Sequence, residues 1–184
     1  MNEIKDYSLA ELESIFREWK VSAYHTRQVF FWIYQRGVCS FDKMTDLSLG
    51  LRRRLKERFS LYELKLIKAQ ESSDGTKKFL FGLEDDNLIE SVLIPAEGRN
   101  TACLSTQVGC KYGCLFCASG LMGFKRNLRA WEILAQLLEI NHIASGGGQG
   151  RISHIVFMGI GEPLDNYDNV LKAIRIINCH SGLN

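Results

Sequence analysis

From Thr101 onward the apolar residues switch repeatedly between strand-like and helix-like spacing, and this alternation most restricts what the chain can fold into. Thr101–Val108 reads as a strand, Ala130–Ala144 as a helix, Ile152–Met158 as a second strand and Asn169–Asn178 as a second helix. The order strand, helix, strand calls for a parallel sheet. Ile152–Met158 is apolar at nearly every position, as strands covered on both faces tend to be. Ser145–Gly150 reads as a flexible link. Two βα units neither complete a parallel sheet nor close a barrel. The last strand is therefore expected to show an unpaired edge, and the 184-residue chain to be a fragment or a truncated reading frame.

The preceding residues carry two other patterns. Ser8 is placed to cap a helix bearing Leu9, Leu12, Ile15 and Phe16, with Glu11 completing a capping box. Thr26–Arg36 predicts a helix that stops at Gly37, and Ser48–Phe59 a third. The period then becomes two over Leu64–Gln70, Lys77–Leu83 and Leu88–Ile94, with Asp74-Gly75 as a hairpin signal and Pro95–Asn100 as a loop. The expected division is a helical module at 1–62, a small antiparallel region at 63–98 and a βα region at 99–184.

With 46% hydrophobic and 24% charged residues and a net charge of +2, the composition is that of a folded soluble chain. No apolar run is long enough to cross a bilayer. The first twenty residues are acidic and amphipathic, unlike a signal peptide, so a cytoplasmic location is expected, where thiols stay reduced. Six cysteines in that setting point to metal or catalysis before structural disulfides. The densest basic run, Arg52–Arg58, suits nucleic acid, but Leu51, Leu55 and Phe59 form an inward stripe that favours the plainer reading of a solvated helix surface.

Three of the cysteines, Cys110, Cys114 and Cys117, form a C-x3-C-x2-C triplet punctuated by Gly109, Gly113 and Gly120. Zinc usually takes four ligands, and no partner pair follows. A [4Fe–4S] cluster on three cysteines explains the odd number and leaves one iron open. Three unrelated core thiols and a zinc site are the competing readings. Phe116 is placed to shield a cluster. The second strand ends in Met158-Gly-Ile-Gly-Glu-Pro-Leu164, a glycine-rich turn at the carboxyl end of a parallel strand, where α/β folds place ligands. Cys39 and Cys179 carry no signal, and His25, His142, His154 and His180 show no ligand spacing.

The triplet with an aromatic before its third cysteine resembles the radical S-adenosylmethionine superfamily. Thr101–Cys110, Gly123–Leu128 and Met158–Val170 resemble the RlmN/Cfr family of RNA adenine methyltransferases over essentially the whole chain. The resemblance implies a partial (βα)6 barrel, of which this chain would carry the first two units after a helical module and a small sheet. It implies a [4Fe–4S] cluster on Cys110, Cys114 and Cys117, and S-adenosylmethionine held at Gly161 and Glu162. It further implies Glu90 as the base that removes the ring proton and Cys103 as the resolving cysteine that frees the product by forming a disulfide with a methyl-carrying cysteine. That cysteine is missing here, so the isolated chain is expected not to turn over. The implied reaction is methylation of C2 of an adenosine in 23S ribosomal RNA, and of transfer RNA, with a flavodoxin or ferredoxin as electron donor and a monomeric enzyme. The alternatives are a Cfr-type enzyme acting at C8 and a non-catalytic, zinc-stabilised RNA-binding module. Leu88, Glu90, Val92 and Ile94 share one strand face, so the Glu90 carboxylate is expected among apolar neighbours, where partial desolvation makes a better base near neutrality. Lys125, Arg126 and Arg129 are expected to contact RNA or cofactor.

Overall fold

The computed structural model describes residues 1–146 and 150–180. Gly147, Gly148 and Gln149, the middle of the expected link, lie outside the described residues. The chain divides into two compact units, Met1–Glu63 with Leu171–Asn184, and Leu64–Val170.

The first unit is helical. It begins with a two-residue strand β1 (Asn2–Glu3), followed by α1 (Leu9–Glu18), whose Ser8 and Glu11 form the expected capping box. α2 (Ala23–Phe30) is capped by Ser22 and runs on as a π-helical turn over Phe31–Gln35 before Gly37 reverses the chain at φ +59°. α3 (Leu49–Arg58) is capped by Ser48 and leads into β2 (Phe59–Ser60), which pairs in parallel with β1. Leu12, Phe16, Val29, Phe30, Ile33, Met44, Leu55 and Phe59 fill its core. Of the basic run, Arg54 lies over the Trp19 ring at 4.4 Å, Arg52 donates to the Asp42 carbonyl and Lys56 pairs with the Asp42 carboxylate at 2.6 Å. Arg53 and Arg58 stand exposed.

A buried polar cluster ties β1 to the end of this unit. Glu3 accepts backbone N–H groups from Tyr62 at 2.8 Å and Lys5 at 3.2 Å, and the Lys5 ammonium reaches the Tyr62 carbonyl. Burial pushes the Glu3 carboxyl up to about 7, outweighing the nearby Lys5 charge and the two N–H donors, with Asp6 adding a small push in the same direction. A raised carboxyl means that the folded chain holds this proton more tightly than the unfolded chain. The Glu3 contribution is therefore fully present below about pH 4.5 and is lost as pH rises through 7. Between pH 4.5 and 7.5 the parent should lose about 1–3 kcal/mol relative to Glu3→Gln in urea melts. A difference between the two that does not change with pH would refute this.

The second unit is built on a sheet ordered β3-β4-β5-β6-β9. β3 (Lys65–Glu71), β4 (Lys77–Gly82), β5 (Leu88–Ala96) and β6 (Arg99–Cys103) run antiparallel in sequence. After β6 come the short pair β7 (Gln107–Val108) and β8 (Arg126–Asn127), then α4 (Ala130–Gly146) and β9 (His154–Val156), which joins β6 in parallel. A 3-10 turn at Pro163–Asn166 leads into α5 (Tyr167–Ile177), whose residues from Leu171 on belong to the first unit. The strands expected for residues 63–98 and the first strand of the βα region thus belong to one sheet.

Three expectations are corrected. Pro95–Asn100 is not a loop. β5 and β6 continue to Ala96 and from Arg99, because Gly98 at φ +72° permits a tight turn. Thr101–Val108 is not one strand. The ladder to β5 ends at the Val92–Cys103 pair, and the following residues turn to other partners. Ile152–Met158 is not covered on both faces. Among the described residues only His154–Val156 pairs, β9 has a neighbour on one side alone, and its residues are half-buried or exposed.

Candidate cofactor site

Residues 104–107 form the seat of the site. Gln136, fully buried on α4, uses all its hydrogen-bonding capacity here. Its Oε1 accepts from the Ser91 hydroxyl at 2.7 Å and the Ser105 N–H at 2.9 Å, while its Nε2 donates to the carbonyls of Ser105 and Glu132. The Ser105 hydroxyl donates to the Glu90 carbonyl at 2.5 Å and accepts the Ile160 N–H at 2.8 Å. The Ile160 carbonyl accepts from both Thr106 and Gln107, and the Gln107 side chain accepts the Glu162 N–H at 2.9 Å. The glycines of Gly159-Ile-Gly161 are required by this approach. A Cβ on Gly159 would sit 2.7 Å from the Ser105 hydroxyl, and one on Gly161 2.5 Å from Gln107 Cβ. Gly161 also holds φ +102°.

The cysteine loop leaves this seat at Val108 and returns at Lys125, whose N–H bonds the Val108 carbonyl. Gly109, at φ +72°, passes so close to the Gly123 carbonyl that any Cβ would overlap it. Cys110 and Cys117 are half-buried and Cys114 is exposed. Hydrogen bonds from Ser119 hold the Cys117 thiol below its ordinary value. The Asp165 carboxylate pairs with Lys111 at 2.9 Å and accepts from the Tyr112 hydroxyl at 3.3 Å. The loop therefore lies beside the glycine-rich turn. Among the described residues no three His, Cys, Asp or Glu side chains are gathered as a metal site. Phe116, expected as a shield, is 94% exposed.

Glu90 and Cys103 share one face of the sheet. Leu80 lies opposite Glu90, while Lys78 and Cys103 flank Val92, so Lys78, Leu80, Glu90, Val92 and Cys103 point the same way. The opposite face carries Ile89, Ser91 and Leu93 and packs on α4. The desolvation expected around Glu90 is not found. Its side chain is 41% exposed and pairs with Lys78 at 3.1 Å, because the covered face is the one between its neighbours. Cys103 is buried at the end of β6, and burial pushes its thiol up, with the Met158 N–H partly offsetting this. All six cysteines are free.

Arg126 does not face outward for RNA. It makes a two-pronged bond to Glu132, 2.8 Å on each arm, and a third to Asp85 at 2.7 Å. Asp85 is thereby held well below the usual carboxylate range. Lys125 donates to Asn87 on the same turn. Asn166, buried, donates to the carbonyls of Thr106 and Leu128 at 2.7 Å each. Ser105, Gln107, Gln136, Glu132 and Asn166 were not found from sequence.

Residues 2–61 match the family model described as the ribosomal RNA large subunit methyltransferase N-terminal domain. Over 184 residues, all of this chain, it is 46% identical to a probable dual-specificity RNA methyltransferase RlmN of Dictyoglomus thermophilum, covering 52% of that protein. Over its whole length the chain is similar to RlmN proteins. A second RlmN, from Syntrophus aciditrophicus, is 47% identical over 180 residues, 98% of this chain and 51% of its own length. A crystal structure of a radical SAM methyltransferase from Sphaerobacter thermophilus matches with a TM-score of 0.92 at 39% identity, over 100% of this chain and 54% of that one. The chain spans about half the length of these RlmN relatives. Among the described residues no helix is long and apolar enough to cross a membrane.

The residues present suit an iron–sulfur cluster as a donor set. Three thiols lie on one short segment, one of them held toward thiolate by Ser119, a soft donor set of the kind that an iron–sulfur cluster takes once drawn together.

Proposed function

We propose that this chain serves radical S-adenosylmethionine-dependent methylation of RNA, at C2 of an adenosine in 23S ribosomal RNA and in transfer RNA, by way of a methyl-cysteine intermediate. The observation that carries the reading is the common seat at residues 104–107, from which the cysteine loop departs and onto which the Gly159–Glu162 turn is bonded. The relatives' names, dual-specificity RNA methyltransferase, support the substrate class. When bound, a [4Fe–4S] cluster on Cys110, Cys114 and Cys117 supplies the electron for one-electron cleavage of S-adenosylmethionine. Gly161 and Glu162 bind the amino end of that molecule, with the glycine keeping the turn free of a side chain. An adenine approaching the open sheet face meets Glu90, whose carboxylate takes the ring proton once it parts from Lys78. Cys103 lies on the same face and serves as the resolving thiol. In this reading residues 1–62 engage RNA through Arg53 and Arg58, 63–98 form the small sheet region and 99–184 begin the radical core. A flavodoxin or ferredoxin supplies electrons to a monomer.

The test is anaerobic reconstitution with iron and sulfide. The parent should take up both and turn brown, and single alanine replacements at Cys110, Cys114 or Cys117 should lower iron content about tenfold. Zinc uptake without iron or sulfide, or iron content indifferent to the three replacements, overturns it.

A further inference from the structure

One side chain to which the proposed function gives no role touches both of its loops. Asp165 sits in the turn after the Gly-Ile-Gly-Glu-Pro segment, and its backbone N–H bonds the Glu162 carbonyl. Its carboxylate holds the outgoing limb of the cysteine loop, Lys111 at 2.9 Å and Tyr112 at 3.3 Å. Its carbonyl accepts the side-chain amide of Asn127, on the strand β8 to which the loop returns, at 3.3 Å. Asp165 thus spans both limbs of the loop neck and the turn, with Lys111 directly beside Cys110. The Lys111 ammonium is the only full positive charge that the structure gives this carboxylate among the described residues, at a side chain 24% exposed.

We propose that Asp165 is a positioning residue that sets the place of Cys110 against the Gly161–Glu162 turn, so that the cluster ligands and the S-adenosylmethionine seat are held in register. This rests on the function proposed above only for the identity of the two ligands. The clip itself is a property of the metal-free chain. The carboxylate opposes the Lys111 charge with one oxygen and accepts the Tyr112 hydroxyl with the other, and Asp165→Asn keeps the shape and the hydroxyl acceptor while removing the charge.

The first measurement uses the reduced, metal-free chain, labelled with iodoacetamide and read residue by residue by mass spectrometry. D165N should raise labelling of Cys110 about threefold, the range expected for releasing a partly exposed ion pair, with Cys39 and Cys179 unchanged. Lys111→Gln should do the same, and the double variant no more than either, because both remove one interaction. Unchanged labelling of Cys110, or equal acceleration at Cys39 and Cys179, overturns the assignment. The second measurement uses the anaerobically loaded chain. D165N should retain the parent's iron content, yet need about threefold more S-adenosylmethionine to alter the electron paramagnetic resonance spectrum of the reduced cluster. An unaltered S-adenosylmethionine response overturns the positioning role. A parent that takes up no iron while its Cys110 labelling still depends on Asp165 overturns the cluster and leaves the clip standing.

Discussion

Arg126→Met should cost the second unit about 3 kcal/mol in urea denaturation, the largest loss expected from any single charged residue here. Glu132 is 3% exposed, and among the described residues its carboxylate is paired with Arg126 alone, with the Arg129 N–H at 2.7 Å as its other donor. Removing the guanidinium leaves a carboxylate buried beside one amide, the situation in which breaking an ion pair hurts most. The same change frees the β4–β5 turn, since Asp85 loses its partner. Replacing both partners, Arg126→Met with Glu132→Leu, should recover a good part of the loss, because no uncompensated charge remains. Asp85 gives a second reading of the same network. Its carboxyl is depressed, so its stabilisation is present above the unfolded value near 4 and fades as pH falls below it. The gap between parent and R126M should therefore narrow in acid. A loss under 1 kcal/mol in R126M at pH 7, or a double variant weaker than the single, would count against this account.

Gly109→Ala should abolish the closed neck of the cysteine loop while leaving the helical unit intact. Two costs combine. The residue holds φ +72°, a conformation that side chains disfavour by about 1 kcal/mol, and its new methyl would overlap the Gly123 carbonyl. Gly123 cannot retreat freely, since its N–H is bonded to Gly120 and Lys125 is tied to Val108. The total, about 2–4 kcal/mol, exceeds what a surface loop can return through local adjustment, so the neck opens rather than bends. Iron uptake should fall to the level of the single cysteine variants. Hydrogen exchange should rise in the amides of 107–127 and stay at parent values in α1 and α3. Normal iron uptake by Gly109→Ala would show that the neck does not matter to ligation.

Features coded within a few residues were legible in the sequence. The Ser8–Glu11 box, the Asp74-Gly75 turn and the start of α4 appear as read, because caps and turns depend on neighbours three or four positions away. The βα order was also readable. What escaped depends on distant partners. The break after Cys103 follows from Ser105 bonding Gln136, 31 residues on, and Ile160, 55 residues on. Nothing local marks a serine or a glutamine for such a role. Arg126 looked like a free cation because its acceptors sit 41 positions back and 6 ahead. Alternation told that Glu90 shares a face with Leu88 and Val92, but which face α4 would cover is decided by packing, and it covers the other.

The seat at 104–107 also dictates an order of assembly. The three cysteines lie within eight residues and can meet early in synthesis, whereas Ser105 must wait for Ile160 and Asn166 must return to Thr106 across 60 positions. Closing such long loops is slow compared with forming local turns. A growing chain therefore displays its thiols to iron, oxygen and other thiols before the turn that belongs beside them has been made. On the proposed function, the timing of metal delivery is as much a matter for the folding chain as for the folded one.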